Sequence, residues 1–95
     1  MPPFARLTDI CTGHGCFPPR PNIQGSPNVF CNMLPAHRRT DAWSVHCCGI
    51  VCHASVLCTG SPNVFTNWLN QGRVTDMVCC GSAVATGSPN VFVNG

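Results

Sequence analysis

Charge is what this chain has least of. Only 8% of its 95 residues are charged, against about 25% in an ordinary globular domain. Lys, Glu and Tyr are absent: the five cations are all Arg and the three anions all Asp. The Arg are scattered, with no basic run. Nucleic-acid binding therefore finds little support, because a phosphate backbone needs clustered cations. No apolar run approaches the roughly 20 residues that span a bilayer as a helix. The start, Met1-Pro2-Pro3-Phe4, lacks the charged and apolar regions of a secretory signal. Helical periodicity is missing too, and Trp68 to Gln71 is too short and Asn-rich to supply it. Acid–base catalysis by paired carboxylates is disfavoured, since the three Asp are far apart in the chain.

What is present is repetition. Gly-Ser-Pro-Asn-Val-Phe occurs at Gly25–Phe30, Gly60–Phe65 and Gly87–Phe92, with an Asn two residues after each Phe: Asn32, Asn67 and Asn94. Chance does not write one hexapeptide three times into so short a chain, so the architecture is an internal repeat. A second element alternates with it: Arg6-Leu7-Thr8-Asp9, Arg38-Arg39-Thr40-Asp41 and Arg73-Val74-Thr75-Asp76. It uses every acidic residue in the protein. Such an Asp can close an Asx-turn or pair with Arg. The first two units add a Leu-x-x-x-Arg return, Leu34 to Arg38 and Leu69 to Arg73.

Gly-Ser-Pro-Asn is turn chemistry, and Val-Phe-x-Asn reads as a short strand ending in a turn residue. The segments before each Gly (Ile23-Gln24, Val56-Leu57-Cys58, Ala83-Val84-Ala85) are candidate opposing strands. One hairpin is marginal alone. Three can lean together, and the expectation is that Phe30, Phe65 and Phe92 meet in a shared centre. The predicted fold is all-β: one domain over 1–95, a small pseudo-threefold β-hairpin repeat with little or no helix. Phe17, in the Pro-rich insert Cys16 to Pro21, is expected on a surface loop.

So small a domain often needs a staple. Nine Cys and four His offer one. Nine is odd, which precludes complete internal pairing. The Cys are expected mainly as thiols or metal ligands, with Cys11, Cys16, Cys31 and Cys58 as small buried apolar groups. A disulfide between Cys11 and Cys16, or near Cys47, stays open. Counted from each Asp, His14 and His46 stand at plus five and Cys80 at plus four; counted back from the Gly, His53 and Cys80 are equivalent. Equivalent positions of a pseudo-threefold body converge near its axis. His14, His46, His53 and Cys80 make a closed tetrahedral set suited to structural Zn²⁺, with Fe as the competitor. A Cys-rich set of Cys47, Cys48, Cys52 and Cys79 is the alternative. His37 lies off the repeat position and is expected to be solvated.

The chain resembles the PAAR-repeat proteins. The resemblance rests on Pro35-Ala36-His37-Arg38, close to the family's Pro-Ala-Ala-Arg signature, on the repeated hexapeptides, and on Thr12-Gly13-His14 and His46-Cys47-Cys48-Gly49. The third unit departs from it at Asn70-Gln71-Gly72-Arg73. The resemblance implies a cone capping the trimeric β-helical spike of a contractile injection machine, either a phage tail or a type VI secretion system. It implies a metal held near the tip by His14, His46, His53 and Cys80, transient contact with a target membrane, no nucleic acid and no catalytic residues. The location implied is the virion, or the cytoplasm followed by secretion; the short chain is more like a bare phage tip than an effector fusion. The alternatives are a soluble metal-binding or thiol redox protein and a small hydrolase with Zn-bound water.

Overall fold

A computed structural model describes residues 1–94. Three antiparallel hairpins form it, with no helix among those residues: β1 (Phe30–Cys31) with β2 (Leu34–Pro35), β3 (Ala42–Cys48) with β4 (Val51–Val56), and β5 (Phe65–Thr66) with β6 (Leu69–Asn70). The molecule is compact but drawn out along one axis, with extents of 37 × 24 × 21 Å.

The repeated Val-Phe strand pairs forward in the chain. Phe30 faces Pro35 and Phe65 faces Asn70. The candidate partners before each Gly are therefore not the ones used. The reversals lie at Asn32-Met33 and Asn67-Trp68, where both residues have positive φ (54° and 65°; 53° and 70°). That is the two-residue turn whose twist matches a hairpin, and Asn tolerates it best. The hexapeptide turn does a different job. A Cβ on Gly25, Gly60 or Gly87 would come within 2.8–2.9 Å of the neighbouring return strand. With no Cβ in the way, Ser26 N–H donates to Ala36 O at 2.7 Å, Ser61 N–H to Gln71 O at 2.9 Å and Ser88 N–H to Phe4 O at 2.8 Å. Each Ser Oγ then accepts from the backbone N–H groups two and three residues on. This holds the turn in one shape.

The third unit borrows its return strand from the start of the chain. Pro3 bridges Phe92, and Phe4 N–H donates to Val91 O at 2.9 Å. Pro3-Phe4-Ala5-Arg6 is thus the structural equivalent of Pro35-Ala36-His37-Arg38 and Asn70-Gln71-Gly72-Arg73. The three meet in a closed ring of backbone hydrogen bonds: Ala5 N–H to Gly72 O (3.0 Å), Gly72 N–H to His37 O (2.9 Å) and His37 N–H to Ala5 O (3.1 Å). The buried Gln71 sits on the ring and donates Nε2 to the carbonyls of Ala5, His37 and Gly72 at 2.9–3.1 Å. One amide thus ties together all three units.

Above the ring come the ion pairs. In each Arg-x-Thr-Asp the carboxylate accepts from the Arg guanidinium and from the Arg backbone N–H; Arg38 Nε to Asp41 Oδ2 is 2.8 Å. The intervening Thr8, Thr40 and Thr75 take φ between 76° and 81°. Two residues after each Asp comes a buried core residue: Cys11, Trp43 and Val78. Each pairs with a neighbouring unit: Cys11 with Val84, Trp43 with Asn22, Val78 with Leu57. Ala5, Cys11, Trp43, Leu57, Val78 and Val84 make the apolar core.

The three Phe do not meet in a centre. Phe30, Phe65 and Phe92 are 58%, 56% and 49% exposed. Side chains alternate along a strand, and the next residue in each unit is the one turned inward: Cys31, Thr66 and Val93. The ring, Gln71 and the Asp-plus-two residues already fill the middle.

Candidate metal centre

Beyond the core layer the three inserts differ. In the middle unit β3 and β4 form a long hairpin, closed by Gly49-Ile50 with Gly49 at φ 63°. Gly first in a two-residue turn fits that geometry. The register sets His46 directly opposite His53 and Cys47 opposite Cys52. Because faces alternate, the two His share one face and the two Cys the other. His14 arrives from the first insert, where it pairs with Phe17 across Gly15-Cys16. Cys80 arrives from the third.

The four expected ligands come together. One ligand atom each from His14, His46, His53 and Cys80 all lie within 4.8 Å of one another. The Nε2 atoms of His14 and His53 are 3.1 Å apart, and those of His46 and His53 2.6 Å. His46 is buried and its Nδ1 stands 2.9 Å from Pro18 O. A carbonyl only accepts, so Nδ1 carries the proton and Nε2 presents its lone pair to the cluster. Three imidazole nitrogens directed at one another repel unless a proton or a cation lies between them. Three nitrogens and one thiol sulfur are a set that Zn²⁺ or Fe can take. A tetrahedron with metal–nitrogen bonds of about 2.0–2.1 Å has nitrogen–nitrogen edges of about 3.3 Å, so to hold an ion the His46–His53 and His14–His53 pairs would part slightly and the wider pairs of the set, which spans up to 4.8 Å, would draw in. His53 is pushed below the usual histidine range, by desolvation first and then by His46, His14 and Arg20. It is thereby kept as the neutral imidazole that a metal binds.

Two residues not foreseen as part of the site complete it. Phe17 stacks on His53 (centroids 4.3 Å) and His14 (4.8 Å), and lies 5.0 Å from His46. Its loop lies at the surface as expected, with Gly15, Cys16, Pro18 and Pro19 exposed, but its ring covers the imidazoles. The signal was available: His14-Gly15-Cys16-Phe17 is a two-residue turn with Gly first, which sets His14 and Phe17 face to face. Arg20 is buried and stacks over Trp43 at 5.3 Å. It donates Nε to Ser44 O at 2.8 Å, Nη1 to Cys11 Sγ at 2.9 Å and to Ser82 Oγ at 3.2 Å, and Nη2 to Cys80 Sγ at 3.5 Å. Its signal was the imbalance of five Arg against three Asp. Burial raises the Cys80 thiol, but hydrogen bonds from Ser82 and Arg20 outweigh it and leave the pKa lowered. That favours the thiolate, the form that binds metal.

Of the remaining Cys, Cys11 and Cys31 are the buried thiols expected and a bond forms near Cys47, but the other pairings depart from expectation. Cys16 is bonded to Cys48, Cys47 to Cys52 and Cys58 to Cys79. Cys16 and Cys58 are thus paired, and only Cys11 and Cys31 are free buried thiols. The reason is register: β3 and β4 set Cys47 opposite Cys52, the Leu57–Val78 bridge brings Cys58 near Cys79, and the first insert lies against the end of β3, with Cα separations of 4.1–5.4 Å. The pairs take Cys47, Cys48, Cys52 and Cys79 out of the rival ligand set and leave Cys80 free beside Cys79. His37 is buried, not solvated: its Nδ1 bonds Gln24 O at 2.8 Å and its ring meets Trp43 edge-on.

Compared with known proteins, the chain matches no family model and no curated protein.

Proposed function

We propose that this chain is the metal-pinned tip of a contractile injection machine, of PAAR-repeat type. Its three-sided base would cap a trimeric β-helical spike and its point would help breach a bacterial envelope, on a phage tail or a type VI secretion system. The observation that carries the reading is the exposure of Phe30, Phe65 and Phe92, one at the equivalent position of each unit. These Phe are identical in all three units and hang from a closed threefold ring of hydrogen bonds. Exposed Met33 and Trp68, at 92% and 96%, sit at the hairpin turns beside two of them. Apolar groups repeated at threefold-equivalent positions suit a partner with a true threefold axis.

The other end supports a mechanical role. Four protein ligands drawn from all three units close the site and leave no coordination position for water, which fits a structural metal, Zn²⁺ or Fe, and no catalysis. A metal there would stop the point from fraying. Beyond it the β3–β4 hairpin ends in the fully exposed Ile50, an apolar point for transient membrane contact.

The test is to mix the chain with a trimeric β-helical spike fragment and measure stoichiometry by native mass spectrometry. One chain per spike trimer is expected. One chain per spike subunit would overturn the cap. The rival reading, a metal-binding or thiol redox protein, rests on six paired Cys around the ligands. It predicts several labile metals per chain in place of one retained ion.

A further inference from the structure

Every candidate ligand lies within two residues of a disulfide. His14 precedes Cys16 by two, His46 adjoins Cys47, His53 adjoins Cys52, and Cys80 adjoins Cys79. The pairings also run in series. Cys16–Cys48 joins the His14 loop to β3. Cys47–Cys52 joins β3 to β4 on the rung next to His46 and His53. Cys58–Cys79 joins the segment after β4 to the turn that carries Cys80. A covalent path therefore links all four ligand-bearing segments. The one Cys on the hexapeptide strands, Cys31, is free.

We propose that these disulfides gate the metal: oxidation selects the His14, His46, His53 and Cys80 set, and reduction replaces it with a thiolate-rich one. The inference rests on the metal reading above. Two effects point the same way. Cross-links hold the ligand segments together before the ion arrives, so less ordering accompanies binding. They also occupy six sulfurs that would otherwise compete, and thiolates are strong ligands for Zn²⁺. Reduced, the hairpin offers Cys48 on the face of the two His, and Cys47 and Cys52 as a facing pair of thiols on the other. In each reduction a dithiol donor attacks one sulfur, passes through a mixed disulfide and ends as its own cyclic disulfide. The cystine gains two electrons and two protons and leaves as two thiols. Exchange with an oxidised dithiol reverses the step.

The test is a Co²⁺ titration of the oxidised chain and of the chain reduced with a phosphine, read by stoichiometry and by the cobalt–thiolate charge-transfer band. The oxidised chain should take one Co²⁺ with a single-thiolate band. The reduced chain should show at least about twice that band intensity per chain, from added sulfur ligands. A Cys47→Ser/Cys52→Ser variant, oxidised elsewhere, separates pinning from competition. It gains no thiolate, keeps the single-thiolate band, and should bind Co²⁺ on the order of tenfold more weakly. Equal affinity and an equal band in all three samples would overturn the gate and leave the metal reading standing. An oxidised chain that takes no Co²⁺ would overturn the metal reading itself.

Discussion

In the body of this protein, three copies of one hexapeptide make three copies of one geometry; at the point, three unlike inserts make one centre. The body is held by many equivalent small interactions: the Ala5–His37–Gly72 ring, the Gln71 amide and three Arg–Asp pairs. The point is held by few and unequal ones: three disulfides, the Arg20 fork and four convergent ligand atoms. The difference fits the function proposed. A face that met a threefold partner would present the same residue three times. A tetrahedral ion could not take four equivalent ligands from three identical arms, so the symmetry would break there. The middle insert breaks it by presenting two His across one rung.

Disrupting the body should cost most where its ion pairs are most buried. Asp41→Ala leaves Arg38 buried without its carboxylate, so a loss of about 3–5 kcal/mol in unfolding free energy is expected. Urea titration of the metal-loaded protein checks it. A loss below about 1 kcal/mol would show that the pairs contribute little to the body.

A smaller effect should appear with pH in the metal-free, oxidised protein. Burial holds His37 below its ordinary value of 6.5; Gln24 O, Asp41 and Asp9 oppose this and Arg38 adds to it. The folded state then binds fewer protons than the unfolded state below about pH 6.5. Stability should fall as pH drops through that value, and His37 should contribute no slope above it. In His37→Leu the slope below pH 6.5 should be shallower by up to about 1.4 kcal/mol per pH unit. An unchanged slope would contradict a buried neutral His37.

The smallest effect on stability is expected at the base. Phe65→Ser should change unfolding free energy by only about 0.5 kcal/mol, as at a surface position, while weakening spike capping. A melt as damaged as that of Asp41→Ala would mean the Phe serve the fold and not a partner.

Much of this was legible in the sequence, and the failures have physical causes that spacing does not carry. Identical hexapeptides announced the repeat, and counting from Asp and from Gly picked out the four residues that converge. What counting could not supply was direction across a strand. The residue that varies, Cys31, Thr66 or Val93, is the one buried, and the invariant Phe beside it faces out. Which Cys pair depends on register between distant segments, so Cys16 and Cys58 were not recognisable as partners of Cys48 and Cys79. The third return strand was hidden because it lies at the other end of the chain; Pro3 three residues before Arg6 was its only trace.

The most direct test of the central claim is X-ray absorption at the metal edge of the oxidised protein loaded with one equivalent of Zn²⁺. Three nitrogens at about 2.0–2.1 Å and one sulfur at about 2.3 Å are expected. Two or more sulfurs would contradict the centre described, because Cys80 is the one free thiol in the cluster.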